Sequence, residues 1–145
     1  MTTVLQKIAL VTGGAKRIGR TIALALAQRG WDIVVHYGQS QEEAASTVRD
    51  IEALGRRAIA LQCDLSDENA VKSLLSRASQ TFGAYAVPIS CVVNNASLFD
   101  YDSTEDFSVA RLDAHMHANL AAPILLAQSL HAMTPEGSQA VVVNL

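Results

Sequence analysis

The chain has 145 residues, of which 50% are hydrophobic, and this is enough apolar material for one globular domain over residues 1–145. Its net charge is -3 and it has no basic block, so the sequence predicts no positively charged surface for nucleic acid or an anionic membrane. No apolar run approaches the ~18 residues of a membrane span, and the N-terminal run is too short for a signal peptide. We therefore expect a cytoplasmic protein that acts on small molecules.

The first predicted element is an apolar strand over residues 8–11, which leads through a glycine turn into a helix. Gly13 and Gly14 allow a tight turn with positive φ angles, and Gly19 lets the helix approach the strand closely. The N–H groups at the start of the helix lie unpaired at the positive end of its dipole, which makes an anion site. The pattern fits a dinucleotide pyrophosphate. It also fits an ordinary strand–helix turn that needs glycine for its backbone alone.

Strands and helices alternate along the rest of the chain. Further strands are predicted at 31–37, 58–63, 88–93 and 140–145, and helices at 16–28, 41–54, 66–82 and 107–133. Ser40 with Glu43 has the spacing of a capping box, Ser66 should cap the third helix, and Pro123 should kink the last one. Near-continuous apolar residues in strands one, four and five indicate strands buried on both faces. This alternation predicts an α/β fold, a Rossmann-type doubly wound parallel sheet that ends within or just after its fifth strand.

The cysteines and histidines do not form a metal-binding pattern. Cys63 and Cys91 lie in apolar strand-like runs without ligand spacing, so we expect buried free thiols. His115, His117 and His131 share the last helix without acidic or cysteine partners at ligand spacing. We interpret them as surface or interface histidines and predict no metal site.

Polar residues follow the predicted strands at the edge where an open parallel sheet binds its ligands. Asp64-Leu65 follows strand three and Asn94-Asn95-Ala96 follows strand four, while Asn119 lies within the long helix. Together with the turn, which reads T-G-x-x-x-x-x-G, these motifs resemble the short-chain dehydrogenase/reductase family over the whole chain. Arg17 stands where the middle glycine of the family's T-G-x-x-x-G-x-G usually is.

The resemblance implies a role for each of these polar residues. It places Asp64 on the adenine amino group and Asn119 at a water in a proton relay. It gives Asn94 and Asn95 a mixed role, in which they support strand four against its neighbours and line the nicotinamide side of the cofactor. Each also has a structural interpretation: Asp64 as a turn or helix-start residue, the asparagine pair as strand-end turn formers, and Asn119 as a satisfied core amide.

The choice of cofactor follows from charge. NAD-preferring turns place an acidic residue at the end of strand two to accept from the ribose hydroxyl, and here His36-Tyr37 occupies that position. Lys16, Arg17 and Ser40 can bind a 2′-phosphate. We therefore predict NADP(H). The predicted cofactor-binding residues are Gly13, Lys16, Arg17, Ile18, His36, Tyr37, Ser40, Asp64, Leu65, Asn95, Ala96 and Ser97.

Within the family the chain is most similar to pteridine reductases and the bacterial dihydrofolate/dihydromonapterin reductase-like branch. The similarity rests on the run from Ala15 to Arg20, on His36-Tyr37 with Ser40, and on Asn95-Ala96-Ser97; Gln39 departs from it, because the branch often has arginine there. It implies a pterin or dihydrofolate substrate held by Ser97 and stacked on Phe99, although Phe99 could equally be a packing residue of its loop. The alternative substrates are 3-oxoacyl thioesters or other carbonyl compounds.

The family's catalytic pair, Y-x-x-x-K, does not occur in these residues. Either residues outside them supply the proton donor, or the chain is a non-catalytic dinucleotide-binding or partner-binding module. Asn119 is then the one predicted catalytic residue here, through its relay role. The helix at 107–133 carries more apolar positions than one sheet-facing stripe needs. The matching family helix packs against its copy, which implies a homo-oligomer, usually a tetramer.

Overall fold

A computed structural model describes residues 6–83 and 87–145. The helices and strands, in chain order, are β1 (Lys7–Val11), α1 (Arg17–Gln28), β2 (Trp31–Tyr37), α2 (Gln41–Ala53), β3 (Ala58–Gln62), α3 (Glu68–Phe82), β4 (Ile89–Asn94), α4 (Val109–Met116), a π-helical turn (His117–Ala121), α5 (Ala122–Met133) and β5 (Val141–Asn144). The sheet has the order β3-β2-β1-β4-β5, and every neighbouring pair is parallel. The predicted Rossmann-type fold is confirmed. The strand order reverses between β1 and β4, so their carboxyl ends open the crevice where such sheets bind ligands.

Alternate residues of the central strands bury into the two faces of the sheet. Ala9 and Val11 of β1 pack with residues of α1 and α2 on one face. Ile8 and Leu10 pack with residues of α3 and α5 on the other. Burying both faces of β1 fixes its register, because a shift of one residue would exchange the two sets.

Burial on both faces is confirmed for β1 and β4, whereas the valines of β5 are exposed in the part of the chain that the structure describes. Val141, Val142 and Val143 are 53%, 37% and 39% exposed. Among the described residues, β5 pairs with β4 at the end of the strand order.

The caps of two helices differ from the predictions. Ser40 precedes α2 as expected, but its side chain makes no capping hydrogen bond, so the capping box does not form. Asp67, not Ser66, caps α3, and its carboxylate accepts from the backbone N–H groups of Asn69 and Ala70. The Ser66 hydroxyl instead donates to Asp64 at 2.7 Å. A carboxylate is the stronger acceptor at a helix N-terminus because the helix dipole favours negative charge there.

The long helix predicted at 107–133 is three consecutive segments. It begins at Val109 after the N-cap residue Ser108, widens into the π-helical turn, and continues as α5. Pro123 lies in the first turn of α5 and therefore marks the end of the interruption, not its centre. The wider turn accommodates the missing N–H of proline. No helix within the described residues has both the length and the apolar character needed to cross a membrane.

Candidate functional site

A cleft of about 420 Å³ opens at the carboxyl edge of the sheet. Six of the predicted site residues line it together: Gly13, His36, Asp64, Leu65, Ala96 and Ser97. They come from the ends of β1, β2, β3 and β4, which parallel pairing brings to one edge. Ala96 and Ser97 also line an adjoining cavity of about 380 Å³ together with Asn119. The structure thus brings half of the predicted site residues to two adjoining cavities, whereas Lys16, Arg17, Ile18, Tyr37, Ser40, Asn95 and Phe99 line neither of them.

His36 holds the glycine turn from beneath. Its ring is buried, and its Nδ1 accepts from the Gly13 N–H at 3.0 Å. Its backbone carbonyl accepts from the Gly14 N–H at 3.0 Å. Gly13 has a φ of +61°, a conformation that favours glycine. The two glycine N–H groups therefore point into the sheet, and the anion donors of the turn must lie further along the chain.

Those donors lie at the start of α1. The first intrahelical hydrogen bond runs from the Arg20 N–H to the Lys16 carbonyl, so helix geometry leaves the N–H groups of Arg17, Ile18 and Gly19 open. The side chains of Lys16 and Arg17 are exposed beside them and add positive charge to the helix dipole. Ile18 is 67% exposed, so the described residues leave this end of the helix open.

Arg17 has a φ of +53°, the one positive φ among the non-glycine residues that the structure describes. A side chain in this left-handed region costs about 1–2 kcal/mol. This explains why the related T-G-x-x-x-G-x-G motif has glycine at the same position.

Gly19 allows α1 to lie against the turn. A Cβ at this position would stand 2.0 Å from the Gly13 carbonyl oxygen and 2.6 Å from Asn95 Nδ2. Asn95 Nδ2 donates to the carbonyl oxygens of Thr12 at 3.0 Å and Gly13 at 3.3 Å. The Asn95 side chain thus ties the end of β4 to the turn, which is the strand-supporting role predicted for it. Its predicted contact with a cofactor stays a prediction.

Thr12 is a structural residue of the site that the sequence did not reveal. Its buried hydroxyl oxygen accepts from the N–H groups of Asn95 and Ala96, both at 3.0 Å, and lies 3.4 Å from the Val93 carbonyl to which it donates. The three bonds join β1 to β4 at the point where the strand order reverses. The only signal in the sequence was a threonine directly before the glycines.

Asp64 presents a carboxylate at the rim of the cleft. Its Oδ1 accepts from the Ser66 hydroxyl at 2.7 Å and the Ser66 N–H at 2.9 Å. These two hydrogen bonds hold the pKa of Asp64 below its usual value. The exposed carboxylate is therefore an anionic acceptor at neutral pH, as an amino group of a ligand would require.

Asn119 anchors the loop that follows β4. Its Oδ1 accepts from the Leu98 N–H at 2.7 Å and its Nδ2 donates to the Leu98 carbonyl at 2.9 Å. The side chain is exposed and extends from the π-helical turn, so Asn119 is not the core amide of the structural interpretation. Both ends of its amide are already paired with the backbone, and its relay role stays a prediction.

Asn144 is a second residue that sequence reasoning missed. Asn94 Nδ2 donates to Asn144 Oδ1 at 2.8 Å, across the register pair that ends β4 and β5. Both residues line the cavity of about 380 Å³ beside Asn119. The signal was its place at the end of a predicted strand, level with the asparagines of the neighbouring strand.

Phe99 lies outside the cleft. Its ring is 71% exposed and meets the Tyr101 ring edge-to-face, with 5.2 Å between the centroids. Together with His115 it lines a separate cavity of about 310 Å³, where His115 Nε2 is 3.7 Å from Asp100 Oδ2. Among the described residues, no group of three or more His, Cys, Asp or Glu side chains is arranged to hold a metal ion.

Comparison with known proteins agrees with this geometry. A family model described as short chain dehydrogenase matches residues 7–145. Versicolorin reductase stcU of Emericella nidulans is 32% identical over 138 residues, which cover 95% of this chain and 51% of that protein. The chain spans about half the length of the curated relatives it matches.

Two solved structures are also similar. A short chain dehydrogenase from Burkholderia cenocepacia J2315 in complex with NADP has 40% identity and a TM-score of 0.84, with 95% of this chain and 55% of that chain covered. FolM alternative dihydrofolate reductase 1 from Brucella canis, complexed with NADP, has 35% identity and a TM-score of 0.87, with 97% and 55% covered. With the glycine turn and the strand-end residues, these similarities show that the chain belongs to the short chain dehydrogenase family.

Proposed function

We propose that the protein is a cytoplasmic NADPH-dependent reductase whose cofactor occupies the cleft. The observation that carries this proposal is the start of α1, where open N–H groups, Lys16 and Arg17 together form an anion site beside the glycine turn. The NADP found in two solved relatives supports the same cofactor. When bound, NADPH supplies a hydride.

The described residues fit an NADP(H) molecule along the whole cleft. The N–H groups at the start of α1 would hold the pyrophosphate. Arg17 and Ser40 would hold the 2′-phosphate, and the Ser40 side chain makes no capping bond that would compete. Tyr37 ends β2 without a carboxylate that would repel the phosphate. Asp64 would accept from the adenine.

The nicotinamide end would lie along residues 95–97, where the cleft adjoins the second cavity. Ser97 lines both spaces and can donate or accept at the edge of a substrate ring. Asn119 fixes the backbone of Leu98, so the strand-end segment beside this space is held in place. These residues would position a substrate next to the cofactor. Asn119 would also keep the loop that follows β4 from closing over the site.

We propose a pterin or dihydrofolate-type substrate, with Ser97 and Phe99 as its contacts. The likeness to a FolM alternative dihydrofolate reductase supports this class. The Phe99 ring packs on Tyr101 and not into the core, which leaves a face free for a flat heterocycle. The alternative is the reduction of a carbonyl compound, and the likeness to a versicolorin reductase supports it.

Replacing Phe99 by alanine should lower kcat/KM for dihydropterin or dihydrofolate, because an aromatic pair contributes roughly 0.5–1.5 kcal/mol. The matched control is Tyr101→Ala, which removes the ring partner of Phe99 and any packing that the pair gives the loop. We expect the loss in Phe99→Ala to exceed that in Tyr101→Ala by this amount, in steady-state kinetics of the intact protein.

Equal losses in the two variants would contradict the contact between Phe99 and the substrate. Turnover of acetoacetyl thioesters without turnover of any pterin would favour the carbonyl reductase. Tight NADPH binding without turnover of either class would indicate a dinucleotide-binding module instead of an enzyme.

We also propose that the protein is a homo-oligomer, a tetramer as in the family, which associates through α4 and α5. Leu112, Met116, Leu120 and Ile124 recur every four residues and are 46%, 48%, 49% and 52% exposed. Such a continuous apolar stripe is typical of an interaction surface.

The substitution Met116→Glu should convert the assembly to smaller species, because it places a charge in the apolar interface. Leu54→Glu is the matched control: Leu54 is 43% exposed but ends α2, away from the stripe. Multi-angle light scattering measures both. A wild-type protein that is monomeric at micromolar concentration would rule out the assembly.

A further inference from the structure

His36 makes two hydrogen bonds that fix its protonation state. Its Nδ1 accepts from the Gly13 N–H at 3.0 Å, and its Nε2 lies 2.9 Å from the Cys63 carbonyl oxygen. A carbonyl can only accept, so Nε2 must carry a hydrogen, and an N–H can only donate, so Nδ1 must be bare. The ring is therefore neutral and in its Nε2–H form.

The same ring determines the shape of the glycine turn. Ring and backbone carbonyl of His36 together hold the N–H groups of Gly13 and Gly14. Gly19 then packs against the Gly13 carbonyl, so the position of α1 depends on that of Gly13. A second proton on the ring would set two N–H groups against each other at 3.0 Å, and the bond that orients Gly13 would be lost.

We propose that His36 is a positioning residue that makes dinucleotide binding depend on pH, because the turn presents the start of α1 to the ligand only while the ring is neutral. This inference rests on the proposed function. It adds a requirement that the cofactor itself does not impose, since His36 is buried beneath the turn and acts through Gly13.

The surroundings of the ring agree with this role. Burial lowers the pKa of His36 below its ordinary value of 6.5, although the hydrogen bond to the Cys63 carbonyl partly offsets the effect. Cys63 and Asp64 line the same cleft as His36, Tyr37 follows it on β2, and Lys16 and Arg17 lie in the turn that begins with Gly13. Burial raises the pKa of the Cys63 thiol to about 11, and hydrogen bonds from Ser66 lower that of Asp64. Neither group changes charge near neutrality.

The sign of the effect follows from the lowered pKa. Above about pH 6.5 the ring is neutral whether or not the turn is formed, so pH has no effect through His36. As the pH falls below that value, a ring released from the turn takes up a proton before a ring held in it does. The ordered turn, and the ligand bound to it, therefore lose stability toward acid pH until the held ring is protonated too.

The test is a titration of the intact protein with NADH and with NADPH by nicotinamide fluorescence, from about pH 8 down to about one unit below the pKa of His36, which NMR measures in the unliganded protein. NADH is included because it lacks the 2′-phosphate, which itself titrates near pH ~6. We expect log Kd for NADH to rise as the pH falls, with a slope that approaches about one per pH unit below the pKa of the ring.

Two variants distinguish the effect of protonating the His36 ring on NADH affinity from the effect of its packing beneath the turn. His36→Asn keeps an acceptor near the position of Nδ1 but does not titrate, so its NADH affinity should be flat over the same range. His36→Phe keeps a ring but leaves the Gly13 N–H without its acceptor, so its affinity should be weaker at every pH. In the wild type, nitrogen NMR should show the Nε2–H form, and saturation with NADH should lower the pKa of His36, because the linkage is reciprocal.

Wild-type NADH affinity that is flat with pH would overturn the inference, as would the same slope in His36→Asn or an Nδ1–H ring. Each of these three results would leave the proposed function intact as long as NADPH binds. If neither dinucleotide binds at any pH, the proposed function fails and this inference fails with it. The NMR measurement needs no variant, so a misfolded substitution does not prevent the test.

Discussion

Replacing Gly19 by alanine should abolish cofactor binding and destabilise the fold. The added Cβ would meet the Gly13 carbonyl oxygen at 2.0 Å, which is backbone and cannot rotate away. Either α1 must move outward or the turn must open, and each displaces the N–H groups that we assign to the pyrophosphate. We expect a loss of about 3 kcal/mol in the free energy of unfolding, the upper end for overpacking. NADPH affinity should fall by at least about a hundredfold, or ~2.7 kcal/mol.

Two other glycines serve as controls for this substitution. Gly38 has open space around its Cβ position and no positive φ, so Gly38→Ala should leave stability almost unchanged. Gly30 also has open space but a φ of +89°, so Gly30→Ala measures backbone strain without a clash. Denaturant unfolding of the three variants checks the order of stability, and NADPH titration compares Gly19→Ala with Gly30→Ala, because Gly38 itself lines the cleft. A Gly19→Ala protein that binds NADPH like the wild type would contradict the packing of α1 on the turn.

Replacing Arg17 by alanine should weaken NADPH binding far more than NADH binding. The guanidinium stands at the open end of α1, and we assign it to the 2′-phosphate, which only NADPH carries. Loss of a charge-assisted contact to phosphate costs roughly 1.5–3 kcal/mol, or about 10- to 150-fold in Kd. Fluorescence titration with both cofactors measures the difference.

Arg17→Gly separates the charge from the strained backbone. It removes the same guanidinium but also relieves the φ of +53°. We expect it to bind NADPH as weakly as Arg17→Ala and yet to be more stable than that variant by about 0.5–1 kcal/mol. Equal losses for NADH and NADPH in both variants would remove Arg17 from the 2′-phosphate site.

The sequence allowed the sheet to be predicted because its signals are local. Apolar runs marked β1 to β4, and apolar residues at three- and four-residue spacing marked the helices between them. The predicted boundaries of β2 coincide with the observed strand.

The N-cap residue of α3 and the π-helical turn were also not predicted. Ser66 and Asp67 are both good capping residues; Asp67 caps α3, while the Ser66 hydroxyl donates to Asp64. The π-helical turn adds a residue to one turn of a helix, which hardly disturbs an apolar pattern. Only the structure shows that Asn119 in this turn makes hydrogen bonds with the backbone of Leu98.

The site could be predicted as a set of residues but not as a network. Strand-end positions identified Gly13, His36, Asp64 and Ala96 as neighbours, because parallel strands end at one edge. The hydrogen bond between His36 and Gly13 joins residues that are 23 positions apart, and that between Thr12 and Asn95 spans 83. No local pattern encodes such pairs, so the supporting role of the His36 ring emerged only from its geometry.

The proposed function requires that this cleft bind NADPH in preference to NADH. Fluorescence titration of the intact wild-type protein with each cofactor at neutral pH tests it most directly. We predict that NADPH binds at least about tenfold more tightly, the equivalent of ~1.4 kcal/mol, because only NADPH offers a 2′-phosphate to Arg17 and Ser40. Equal affinity, or tighter binding of NADH, would contradict the account.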